Sequence, residues 1–181
     1  MIENASTWLS IIVPALVSIA GFAISYKSLS TSFMAEIKKQ KFELQIDKMS
    51  DIPYDVLNLL NDIISEPNDS ELNLALKKFN EILNSVYAYG SFEAVKIISE
   101  LQSKNYEINK NMGNEKFKFE VFSLYILLAS QVKRDLTGTT ISPDYWFRMK
   151  LNDYNEHKPA IKLACNSVVK KLELENDFLI P

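Results

Sequence analysis

No charged residue occurs in residues 8–26 of this chain, and that run limits its folds more than any other feature. As an α-helix at about 1.5 Å per residue, nineteen uncharged residues reach ~28 Å, close to the hydrocarbon thickness of a bilayer. Trp8 and Tyr26 stand at the two ends, where amphipathic rings favour the headgroup region. A cleaved leader would need a basic n-region, a shorter apolar run and a small-residue cleavage site, whereas "MIENAST" holds no Lys or Arg. The run predicts a retained transmembrane helix over 8–26 behind a short tail, 1–7, with the lipid bilayer as its solvent. Lys27, Lys38, Lys39, Lys41 and Lys48 follow the run and no basic residue precedes it. Basic loops stay cytoplasmic, so the N-terminus is expected outside and the rest of the chain inside. Eighteen Lys against two Arg, with abundant Asn and Ile, fit an AT-rich bacterial coding bias, hence an inner or plasma membrane.

Within "PALVSIAGFAIS" and its flanks, small and polar residues recur with a helical rhythm. Ser10, Pro14, Ser18, Gly21, Ser25, Ser28 and Ser32 are spaced by three or four, which puts them on one stripe of a gently supercoiling helix. Inside lipid, small residues let backbones approach and hydroxyls bond across helices, so the stripe reads as a seam for homo-oligomers. Two other readings stay open: serines bonding their own preceding carbonyls, or a hydroxyl-lined pore in an oligomer. Pro14 is expected to kink the outer end.

No Gly or Pro interrupts residues 22–52, so the span is expected to continue as a helical stalk over 27–50, with Leu29, Phe33, Ile37 and Leu44 on its apolar stripe. Pro53 can then open a new helix at its first turn. Hydrophobic periodicity predicts further helices over 53–65, 69–89, 92–108, 115–136, 143–154 and 159–175. Ser91 and the Ser142-Pro143-Asp144 run serve as starts, and Gly90, Gly113 and Gly138 as left-handed ends. In 69–89 the apolar stripe runs through Leu72, Leu76, Phe79, Leu83 and Val86, while "VFSLYILLA" is apolar nearly all round and reads as the buried core helix. The fold class is all-α: one anchor, one stalk and a multi-helix cytoplasmic domain over 51–181.

Chemistry is sparse. With one histidine, His157, and one cysteine, Cys165, a Cys/His zinc site or a Cys–His dyad with a second copy of either is out of reach. The lone thiol also fits a reducing compartment without internal disulfides. Four glycines supply neither a phosphate loop nor a nucleophile elbow. A net charge of −3 gives no basic excess to neutralise nucleic-acid phosphates. No cofactor is implied, and no enzyme is expected. His157 reads as a surface or capping residue and Cys165 as helix packing. The most site-like stretch, "QVKRDLTGTTISPDYWFRMKLNDY", carries both arginines. Arginine offers a planar bidentate fork, so Arg134 and Arg148 with Asp135 and Asp153 form a candidate site for an anionic ligand or a partner. The competing reading pairs each arginine with a neighbouring acid, Asp135 or Asp153, to lock a helix junction.

The anchor together with "YAYGSFEAVKIISEL" and "VKRDLTGTTISPDYWFRMKLNDY" resembles a loose group of bacterial single-pass membrane proteins with a helical cytoplasmic domain. That resemblance implies fold and topology and transfers no activity or site residue. The layout is analogous to that of bacterial toxins and antiphage immune effectors. The functional expectation is a non-enzymatic membrane effector or sensor that self-associates through its anchor and receives a cytoplasmic protein or small anionic signal on its helical domain. The alternative is a passive tether carrying a docking adaptor.

Overall fold

The computed structural model describes the backbone of residues 2–65, 69–111 and 114–181; the side chains of 2–17, 19, 20, 69 and 109–111 lie outside the description. Among the described residues seven α-helices follow one another: α1 (Ile2–Met49), α2 (Ile52–Ile64), α3 (Asp69–Tyr89), α4 (Phe92–Asn111), α5 (Glu115–Thr137), α6 (Asp144–Lys150) and α7 (Tyr154–Lys171). A short 3-10 turn spans Asn176–Phe178, and no strand forms among the described residues. The chain divides into two compact units, Met1–Leu44 and Gln45–Pro181.

The first unit is the body of α1, which runs through position 14 as one 48-residue helix. Among its described side chains only Ile37 is half-buried and the rest are exposed; Phe22, Ile24, Leu29 and Phe33 are 63–75% exposed. Among the described residues no helix is long and apolar enough to cross a membrane. The outer half of the expected span, residues 8–17 with Ser10 and Pro14, lies outside the described side chains.

The second unit is a helical bundle built around α5. Every side chain from Val121 through Ala129 is buried, as the all-round apolar segment predicts. α2, α4 and α7 pack on α5, and α3 packs on α2 and α4. Phe79 of α3 meets Tyr125 of α5 edge to face, with ring centroids 6.4 Å apart. Met49, at the end of α1, is fully buried in this core. The C-terminal tail is pinned through both backbone groups of one residue: Asn166 Nδ2 donates to the Ile180 carbonyl at 3.0 Å and Ile180 N donates to Asn166 Oδ1 at 2.8 Å.

Local chemistry sets most helix ends. Pro53 falls in the first turn of α2, Ser91 Oγ accepts the Ala94 N–H at 3.2 Å, and Asn114 Oδ1 accepts that of Phe117 at 3.2 Å. Gly138 ends α5 in the left-handed region (φ 70°), its N–H donating to the Arg134 carbonyl at 2.7 Å.

Several expectations are corrected, and one falls outside the described residues. Gly90 is not left-handed; its requirement is steric, because an added Cβ would lie 2.6 Å from the Val86 carbonyl oxygen. Gly113 lies outside the described residues. The buried face of α3 runs through Ala75, Phe79, Ile82 and Val86, leaving Leu72 and Leu76 exposed. The two stripes share Phe79 and Val86, and packing against α2 and α4 decides between them. α6 stops at Lys150, and α7 begins at Tyr154 rather than at Pro159. Pro159 sits in the second turn, where its missing N–H forgoes one backbone bond and the helix continues through it. α7 also stops early, at Lys171. Glu173 takes φ 53°, Glu173 N donates to the Lys170 carbonyl and Leu174 N to that of Val169, a Schellman end built without glycine.

Candidate functional site

The sequence candidates separate into three places. Arg134 and Asp135 lie in the last turn of α5, in the wall of a cavity of about 380 Å³ lined also by Glu93, Gln131, Gly138, Glu173 and Glu175. Arg134 is bonded to Glu175, a residue 41 positions away, rather than to its neighbour Asp135. Asp135 Oδ1 instead accepts Gln131 Nε2 at 2.8 Å. Gln131 is 2% exposed, and its Oε1 has no hydrogen-bond partner; the same holds for Asp135 Oδ2. The lining therefore holds four carboxylates, Glu93, Asp135, Glu173 and Glu175, against one guanidinium. α5 and α7 both end here, which adds the negative ends of two helix dipoles. Lys96 Nζ reaches the Leu172 carbonyl at 2.6 Å and caps the end of α7.

Arg148 belongs to a second cluster. Its Nη2 lies 2.7 Å from Asp144 Oδ2, one turn earlier on α6, and its guanidinium sits 5.6 Å from the centroid of the Tyr154 ring. Tyr154 donates its hydroxyl to the other oxygen of Asp144, which is only 4% exposed. Burial, followed by the bond to Asp144, pushes the Tyr154 phenol up. One buried carboxylate thus accepts from both partners and joins the start of α6 to the start of α7, which accounts for Arg148 without a ligand. Asp144 belongs to the site-like stretch of the sequence, but the pairing expected for Arg148 was with Asp135 or Asp153, because a charged residue in a polar junction gives no sign of burial.

Asp153, the fourth candidate, meets neither arginine. Its Oδ2 lies 3.1 Å from His157 Nε2, while Nδ1 lies 3.0 Å from Glu115 Oε1 and the ring packs 5.6 Å from Phe119. His157 thus bridges the starts of α5 and α7. Cys165 is fully buried; burial pushes its thiol up to about 12, against the opposing effect of the Ser123 hydroxyl. Tyr125 is likewise pushed up to about 12 by burial, with the Asn105 side chain opposing. Among the described residues no three His, Cys, Asp or Glu side chains are placed to hold a metal ion.

On α1, Ser18, Gly21, Ser25, Ser28 and Ser32 are exposed, and a Cβ added at Gly21 would meet nothing within 4 Å. Beside them Thr31 Oγ1 donates to the Lys27 carbonyl at 2.9 Å, the local bond that also competes for serines. Comparison with family models, curated proteins and solved structures finds no match.

Proposed function

We propose that the protein is a non-enzymatic, single-pass membrane effector or sensor. Residues 8–26 of α1 anchor it, the stripe at Ser10, Pro14, Ser18, Gly21, Ser25, Ser28 and Ser32 joins copies, and the bundle receives a signal or partner in the cytoplasm. One observation carries the reading: an uncharged nineteen-residue run within one unbroken helix, bracketed by Trp8 and Tyr26. Support comes from the exposed Phe22, Ile24 and Leu29, which a lone helix in water would leave hydrated. Membrane perturbation is the pore form of the same proposal, in which the serine stripe faces a lumen. The test is alkaline extraction of membranes from cells expressing the full chain, combined with a C-terminal reporter. Retention in the pellet with a cytoplasmically active reporter is expected. Release into the supernatant, or a reporter active only outside, overturns the anchor or its orientation.

A second reading, a tether for a docking adaptor, is favoured by an apolar groove of about 420 Å³ between α3 and α4. Leu83, Val95 and Ile98 form part of its lining, and the exposed Tyr87 and Tyr106 flank it. Loss of a co-purified protein on Tyr87→Ala with the oligomer intact would select this reading.

A further inference from the structure

We propose that the groove between α3 and α4 pairs with the same groove of a second copy of this chain, so that the bundles associate on their own account. The inference rests neither on the membrane anchor nor on its serine stripe, and it gives the groove a different occupant from the adaptor's partner. The α3 helix supplies the first argument. Leu72, Leu76, Leu83 and Tyr87 follow one another at spacings of four, seven and four, which puts them on one stripe, as in a helix-packing seam. That stripe is not the buried face of α3: Leu72, Leu76 and Tyr87 are exposed and Leu83 is half-buried. The chain thus builds two apolar faces on α3 and covers only one of them.

The chemistry of the groove says what covers the other. Among the described residues none that lines it is charged, although 24% of the chain is, and the cavity beside Arg134 carries five charged side chains. A two-fold interface sets a patch against itself, so a charge near the axis meets a like charge. A foreign partner is steered and selected by opposite charge, which this lining does not offer. Five lining side chains are polar, namely Tyr87, Ser99, Gln102, Ser103 and Tyr106. Each carries both a donor and an acceptor, so each can bond its own kind. Gln102 Nε2 already donates to the Tyr106 hydroxyl at 2.7 Å, which orients that ring before any partner arrives. Area agrees. Tyr87 and Tyr106 are 77% and 75% exposed. At about 150–250 Å² per buried aromatic side chain, the pair from each copy supplies roughly half of the ~1,200 Å² at which specific interfaces begin.

The experiment is crosslinking of the full chain in mild detergent with a short bis-maleimide, in a Cys165→Ala background. Ser99→Cys, at an exposed position in the groove, should give several-fold more dimer than Leu163→Cys, an exposed position on α7. Tyr87→Ala should remove most of that dimer. Ser103→Glu and Ser103→Lys, each alone, should lower it about 5-fold, the effect of roughly 1 kcal/mol between like charges across the axis. Mixed together, the Glu and Lys chains should crosslink to each other at close to the parent level, a rescue that no foreign partner predicts. Gly21→Leu, which blocks close approach along α1, should leave the Ser99→Cys dimer in place, so that the two self-contacts fail separately. Three results overturn the proposal: a Ser99→Cys dimer no stronger than that of Leu163→Cys, charge variants that melt like the parent but do not rescue each other, or a dimer lost with Gly21→Leu.

Discussion

α1 and α5 are both rich in large apolar residues, yet they meet opposite fates. In α5 thirteen residues are buried, because α2, α4 and α7 come from the same chain to cover them. In the first unit, Phe22, Ile24, Leu29 and Phe33 stay exposed. An apolar helix face becomes stable only where something removes it from water. For α5 the covering is intramolecular and complete; for α1 the described apolar side chains at 22–33 have none, and the proposed function assigns that cover to lipid and further copies. The difference teaches that apolar content alone does not place a helix in a core; cover supplied by neighbouring helices does.

The largest effect should come from exchanging the same residue type between the two helices. Leu124→Ala, at a fully buried site in α5, should cost about 2–5 kcal/mol in denaturant unfolding of the bundle. Leu29→Ala, 71% exposed on α1, should change the same transition by less than ~0.5 kcal/mol. Equal costs would erase the distinction between the two regions.

A glycine pair sharpens it. Gly90→Ala drives a Cβ against the Val86 carbonyl oxygen and should cost about 1–3 kcal/mol, whereas Gly21→Ala meets open space and should leave bundle stability unchanged. Thermal melting of both variants decides.

Alkali tests the bundle's interior alone. Cys165 and Tyr125 are held neutral to about 12, above their ordinary 9.0 and 10.0. Their contribution is full below the ordinary values and is lost as pH rises toward the folded ones. Stability should therefore fall between about pH 9 and 12, by roughly 1.4 kcal/mol per pH unit for each group that ionises only on unfolding. Cys165→Ala should shift the onset of that decline upward by about one unit, to where Tyr125 begins to titrate; an unmoved onset would show the thiol to be irrelevant.

The smallest effect is a gain. Glu173→Gly relieves a left-handed non-glycine residue at the end of α7 and should stabilise the bundle by about 0.5–1 kcal/mol.

What the sequence made legible was local. Asn114 and Gly138 bracket α5 by side-chain and backbone chemistry within four residues, so its ends can be read from the chain. The end of α7 cannot, because Glu173 occupies a position where glycine would have been the signal. The face of α3 was ambiguous for a similar reason: Ala75 is too small to announce the stripe that the neighbouring helices select. At the site, arginine scarcity drew notice to Arg134 and Arg148, but their partners were not foreseeable. Glu175 lies 41 residues from Arg134, and Asp144 is buried only because Tyr154 and Arg148 converge on it. Adjacent Asp135 looked like the natural partner and instead binds Gln131. Pairing across such separations is fixed by tertiary packing, which periodicity does not encode.

The central claim, that α1 finds its cover outside its own chain, is tested most directly by cysteine crosslinking in native membranes. Single cysteines placed along 14–28 in a Cys165→Ala background should crosslink most strongly at positions 14, 18, 21, 25 and 28, the helical stripe of small residues. A flat profile, or one peaking on the side of Leu16, Ile19 and Ala23, would contradict it.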